Sequence, residues 1–193
     1  MKRFTWIALL LMPVVALAAP TTQRGMRNGL PYFKASESIT GQGDVLKIDK
    51  AKREVWIKMA DGDTAIVECG PEIKNFAQIA AGDVVKVKYT ETLTVHVEEK
   101  GVPATAVESA TGTAKPGQKP KGEMTQKMKA SATIMAIDKT KGSVTLKDSN
   151  AQEYVVYPQK KENLNKVKVG QLVVFTYEEA VAASVEKVSG AKK

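Results

Sequence analysis

The pair of side chains in the sequence that could make a thiolate–imidazole nucleophile is Cys69 and His96, the single cysteine and single histidine. A cysteine beside a histidine can form a reactive thiolate, provided the two side chains meet. Strand alternation argues against a meeting here. Cys69 continues the Ala65, Val67 series and is expected to be buried, whereas His96 shares a side with Thr94 and Glu98, away from the core. No catalytic residue is assigned, and the chain is read as a non-enzyme. Glu178 and Glu179 are chain neighbours that point to opposite strand faces, so they cannot share a proton.

Metal chemistry has a similarly thin basis. Soft ligands select copper(I), and Trp56, Met59 and His96 belong to the side-chain types that would hold it. Trp56 and Met59 alternate to opposite faces, however, and Met124 and Met128 stand beside a segment that reads as loose. No metal site and no cofactor is assigned, and a periplasmic copper-binding protein is kept as the alternative function. Trp56 and His96 remain as ligand-binding candidates. Val55 and Ile57 set an inward face and leave Trp56 outside, where an aromatic ring can stack on a sugar, a base or a peptide, or pack against a neighbouring part of the chain.

The elements that hold these residues occur twice. Val45-Leu46-Lys47-Ile48-Asp49-Lys50 returns as Ile134-Met135-Ala136-Ile137-Asp138-Lys139. Gly82 to Tyr89 returns as Gly170 to Tyr177. The offset is 89 residues up to Glu68/Tyr157 and 88 from Asn75/Asn163 onward, and 14 of 48 aligned positions are identical. A duplication is the reading, with each copy expected to be a packing unit. Asp49 and Asp138 recur at the first turn, where an aspartate can accept hydrogen bonds from backbone amides just ahead. The copies differ at the candidate residues: Thr145 replaces Trp56, Ser184 replaces His96, and Pro158 replaces Cys69.

Within each copy the hydrophobic period is two, as in Val55-Ile57-Met59, Val85-Val87-Tyr89 and Leu93-Val95-Val97. Ile73, Phe76 and Ile79 are three apart and predict a short helix opened by Pro71. The resulting order is three strands, a short helix and two strands. It predicts an all-β fold of two small five-stranded barrels in tandem, of the oligonucleotide/oligosaccharide-binding (OB) type, with an SH3-like barrel as the runner-up.

The turn at Ile48-Asp49, the run Asn75-Phe76 through Ile79 to Gly82-Asp83, and the Lys115-Pro116-Gly117 stretch are similar to those of an uncharacterised class of exported bacterial proteins with tandem OB-like barrel repeats. The resemblance implies the fold and brings no activity with it.

The expected organisation is a signal peptide over 1–18, a partly disordered leader over 19–43 and the first module over 44–98. A flexible Pro/Gly/Lys-rich linker over 99–131, the second module over 132–188 and a basic tail over 189–193 complete it. Lys2 and Arg3 precede an apolar run, and Ala16-Leu17-Ala18 offers small residues for cleavage. The product would be periplasmic or secreted, with no span after signal removal. The net charge of +8 falls to +6 without Lys2 and Arg3, and the surplus sits in leader, linker and tail. Near-neutral modules argue against nucleic acid, which needs a clustered basic face. Weak attraction to an anionic surface fits the basic segments. The function expected is a binding or adaptor module for an envelope protein or glycan.

Overall fold

The computed structural model describes residues 16–17, 19–71 and 73–187. It is all-β: β1 (Ala16–Leu17), β2 (Thr21–Arg27), β3 (Leu30–Asp49), β4 (Glu54–Met59), β5 (Thr64–Glu68), β6 (Asp83–Glu98), β7 (Thr105–Thr113), β8 (Lys121–Asp138), β9 (Ser143–Lys147), β10 (Glu153–Val156) and β11 (Leu172–Lys187). The helices expected between strands are single 3-10 turns at Phe76–Gln78 and Lys161–Asn165. Most of the expected signal peptide and the whole basic tail lie outside the described residues. Among the described residues no helix is long and apolar enough to cross a membrane.

All the strands join one antiparallel sheet, in the order β10-β9-β8-β11-β6-β3-β4-β5, with β1 and β2 added to β3 and β7 added to β8. The sheet is open. This departs from two separate closed barrels, and the reason lies in β6. Two strands with a turn between were expected over residues 84–97. The chain instead runs straight from Asp83 to Glu98. Thr90-Glu91-Thr92 contains neither glycine nor proline, and threonine favours extended backbone. A strand that does not turn back cannot close its own barrel. β6 therefore continues into the other half and pairs with β11 along its whole length, from Asp83↔Lys187 to Glu98↔Leu172.

The leader and the linker are also corrected. Residues 21–27 pair with 30–36 as a hairpin of β2 and β3, and residues 105–113 pair with 122–130 as another of β7 and β8. These hairpins are two copies of one element. Adding 89 to Thr22↔Ala35 and Arg24↔Phe33 gives Thr111↔Met124 and Thr113↔Gly122, both of which are observed pairs. The register shift after Val45 likewise recurs after Ile134. The duplicated unit thus begins near residue 21, well before the part legible as a repeat. The two copies are related by a two-fold axis through the β6–β11 pairing, as subunits of a symmetric dimer would be.

Each copy keeps its own core. Val45, Val55, Ile57, Met59, Cys69, Phe76 and Ile79 form the first, completed by Val185 from β11 of the other copy. Ala132, Ile134, Val144, Leu146 and Leu164 form the second. Between the cores the central strands are two-faced, because directly opposite residues share a side. One face carries Ile39, Tyr89, Val181 and Met124 in a row, and the other carries hydroxyl pairs such as Ser36–Thr92 and Ser38–Thr90, each at 3.0 Å.

The turns match where the residues match. Asp49 Oδ1 accepts from the amides of Ala51 and Lys52, and Asp138 Oδ1 from those of Thr140 and Lys141. Arg53, at φ 57, donates to the carbonyls of Cys69, Gly70 and Ile73 and stacks on Phe76 at 4.6 Å. It thereby ties the 3-10 segment of copy one to the sheet. Gly142 stands at the corresponding left-handed position of copy two and offers no such tie.

Candidate functional site

A cleft of about 530 Å³ opens beside the core of copy two. Ile134, Val144 and Leu146 of β8 and β9 form one side, with Leu164 and Val167 from the 3-10 segment. Opposite them stand Val173 and Phe175 of β11 and Val95 and Val97, the far end of β6 from copy one. The β2–β3 hairpin supplies Met26, Pro31 and Phe33, and Val156 and Tyr157 form the lip at the end of β10. The exchange of β6 between copies thus builds the site, because a turn at residues 90–92 would withdraw Val95 and Val97.

The polar lining is sparse. Arg24 donates from Nη2 to Gln159 Oε1 at 3.0 Å, and its guanidinium lies 5.2 Å from the centre of the Phe33 ring. His96 Nε2 is 3.0 Å from Glu98 Oε1, while its Nδ1 is buried with no hydrogen-bond partner among the described residues. Lys160 and Asn163 complete the polar set. None of the lining residues is an aspartate, glutamate, serine or cysteine. The arrangement can desolvate apolar groups and orient them with a few hydrogen bonds, which is the chemistry of binding.

The duplication shows what is special about this cleft. At the equivalent place beside the first core, Phe33, Phe175 and Tyr157 are replaced by Gly122, Val87 and Glu68. The counterpart hairpin, equal in length, has its tip fastened down there. Asn75 Nδ2 donates to Lys115 O at 2.8 Å, Lys119 Nζ donates to Gln78 O, and Lys119 pairs with the buried carboxylate of Asp83. Beside the second core Gln171 replaces Asp83 and bonds Glu99, and Leu30 of the copy-one hairpin replaces Lys119.

Of the two ligand-binding candidates, His96 is among the residues lining this cleft, but its ring alternates away from Val95 and Val97 and meets Glu98 on the other sheet face. Trp56 does not line the cleft. It lies on the outer side of β4 in copy one, as the alternation requires, with Lys47 Nζ 4.9 Å from its ring. Cys69 is buried in the first core and His96 stands at the cleft, so the structure makes no Cys–His pair. Met59 fills the first core, and Met124 and Met128 are strand residues of β8 rather than neighbours of a loose tether. The soft-ligand set is therefore not assembled, and no cluster of three or more His, Cys, Asp or Glu suited to a metal occurs among the described residues.

Sequence reasoning missed Arg24, Phe33, Phe175 and Tyr157. The available signal was the exchange of small or charged residues for aromatic ones between copies. Comparison of the chain with protein-family models, curated proteins and solved structures returned no match.

Proposed function

We propose that the protein is a non-enzymatic, exported binding or adaptor protein of the periplasm, with the copy-two cleft as its ligand seat. The carrying observation is the cleft itself. It has about 530 Å³ of apolar space with a few polar groups at its margin, inside the size range of pockets that bury small ligands or side chains. Each copy keeps the order of three strands, a 3-10 turn and a further strand, which supports an OB-like unit opened where its fifth strand would turn. The periplasmic assignment rests on the signal-like residues 1–18.

The test is titration of the mature protein with the apolar dye 8-anilinonaphthalene-1-sulfonate, beside a Val95→Trp variant that fills the cleft. Saturable fluorescence enhancement in the wild type, lost in a variant that melts at a similar temperature, is expected. Equal enhancement in both proteins, or none in either, would remove the cleft as a seat.

A further inference from the structure

The cleft continues onto an open sheet edge. Among the described residues β10 ends the sheet, with β9 as its only neighbour. Asp148 N donates to Gln152 O at 3.0 Å, so residue 152 faces β9. In an antiparallel pair the bonding side alternates. Tyr154 and Val156 therefore bond β9, while the N–H and C=O of Glu153 and Val155 point out from the edge.

Exposed edges of this kind are templates for a further strand unless charge or cover blocks them. Here no described residue covers the edge, and it is mostly apolar. Val155 is 58% exposed and Tyr157 68%. Tyr154 lies opposite Leu146 and Val156 opposite Val144, so both share the face of the second core. At the matching end of copy one stand Ala65 and Glu68, and Glu68 faces Glu54 across the pair. The negative charge that guards that edge is replaced by Tyr157 beside the cleft.

We propose, on the reading that the cleft is the ligand seat, that its occupant is an extended segment of another protein. The segment adds as a strand along β10, turns alternate apolar side chains over Tyr154 and Val156 into the cleft, and places an acidic residue near Arg24 and Lys160. The outward N–H and C=O groups of residues 153 and 155 select a polypeptide, since only a backbone repeats matching donors and acceptors along a strand. The apolar inner face selects its side chains. The charge follows from Arg24, whose guanidinium bonds only the neutral amide of Gln159 and has no carboxylate partner among the described residues.

The experiment uses a labelled peptide of alternating valine and threonine ending in two aspartates, read by fluorescence anisotropy with the mature protein. Saturable binding is expected. Val155→Pro, which removes an outward N–H and no bond to β9, should weaken it about tenfold or more. Methylating alternate peptide nitrogens should do the same with the wild-type protein, which guards against a folding defect in the variant. Arg24→Gln should weaken the acidic peptide and leave a peptide ending in two asparagines unchanged. No saturable binding, or binding indifferent to both Val155→Pro and peptide methylation, overturns the proposal. So does self-association through this edge, seen as a wild-type dimer in sedimentation that Val155→Pro abolishes. Dye uptake by the cleft without peptide binding defeats this inference alone, whereas loss of both defeats the ligand seat as well.

Discussion

Glu91 and Glu179 face each other across β6 and β11 at the single pair where a residue meets its own counterpart from the other copy. The two-fold axis passes between them. Carboxylates directly opposite on one sheet face repel. Two phenols, themselves counterparts, offset this. Tyr89 donates to Glu91 Oε1 at 2.5 Å and to Glu179 Oε1 at 3.0 Å, and Tyr177 donates to Glu179 Oε1 at 3.0 Å.

This cluster makes stability sensitive to alkali. Burial first, and then the hydrogen bonds to the carboxylates, raise both phenols from the usual 10.0, with Tyr177 pushed up to about 12. Below the ordinary value both folded and unfolded chains keep these protons. Above it the unfolded chain loses them first, so stability falls as pH rises from about 10 through the folded values. Tyr89→Phe should cost about 1 kcal/mol near neutral pH, and that cost should shrink above pH 10. Urea melts across this range read it out. A constant cost up to about pH 11 would mean that the phenol–carboxylate bonds contribute nothing.

The docking of the β7–β8 hairpin on copy one depends on a buried ion pair. The Asp83 side chain is 5% exposed and that of Lys119 22%. Lys119→Leu leaves a buried carboxylate unpaired and should cost about 3 kcal/mol. The equivalent positions beside the second core are Gln171 and, from the copy-one hairpin, Leu30. Lys119→Leu combined with Asp83→Gln should therefore recover most of the loss. Chemical denaturation of the single and double variants decides it, and a double variant no more stable than the single would refute the pairing.

A single copy should not remain a monomer. Residues 19–98 alone expose the β6 edge that β11 covers in the intact chain. Two such fragments can pair through β6 about Glu91, reproducing the present symmetry. Sedimentation of the fragment should show a concentration-dependent dimer, which Val87→Pro on that strand would weaken. A folded, strictly monomeric fragment would contradict the exchange.

The sequence by itself determined that the chain is built of strands, that it is duplicated, and that Asp49 and Asp138 cap their turns. Each of these follows from chemistry within a few residues, namely period-two alternation, recurring residue types and an acceptor beside backbone amides. The hairpin of β2 and β3 also had a local signal in Asn28-Gly29, both at positive φ as a tight hairpin turn requires. The exposed, largely polar residues 21–27 before it concealed the first of these strands. Only the tertiary structure decided that β6 crosses from one copy to the other, that Glu91 meets Glu179, and that Val95, Phe33 and Tyr157 enclose one cleft. An uninterrupted run such as Val84 to Glu98 alternates identically whether it bends or runs straight. Which edge it pairs with depends on residues about 90 positions away, and no local pattern encodes that choice.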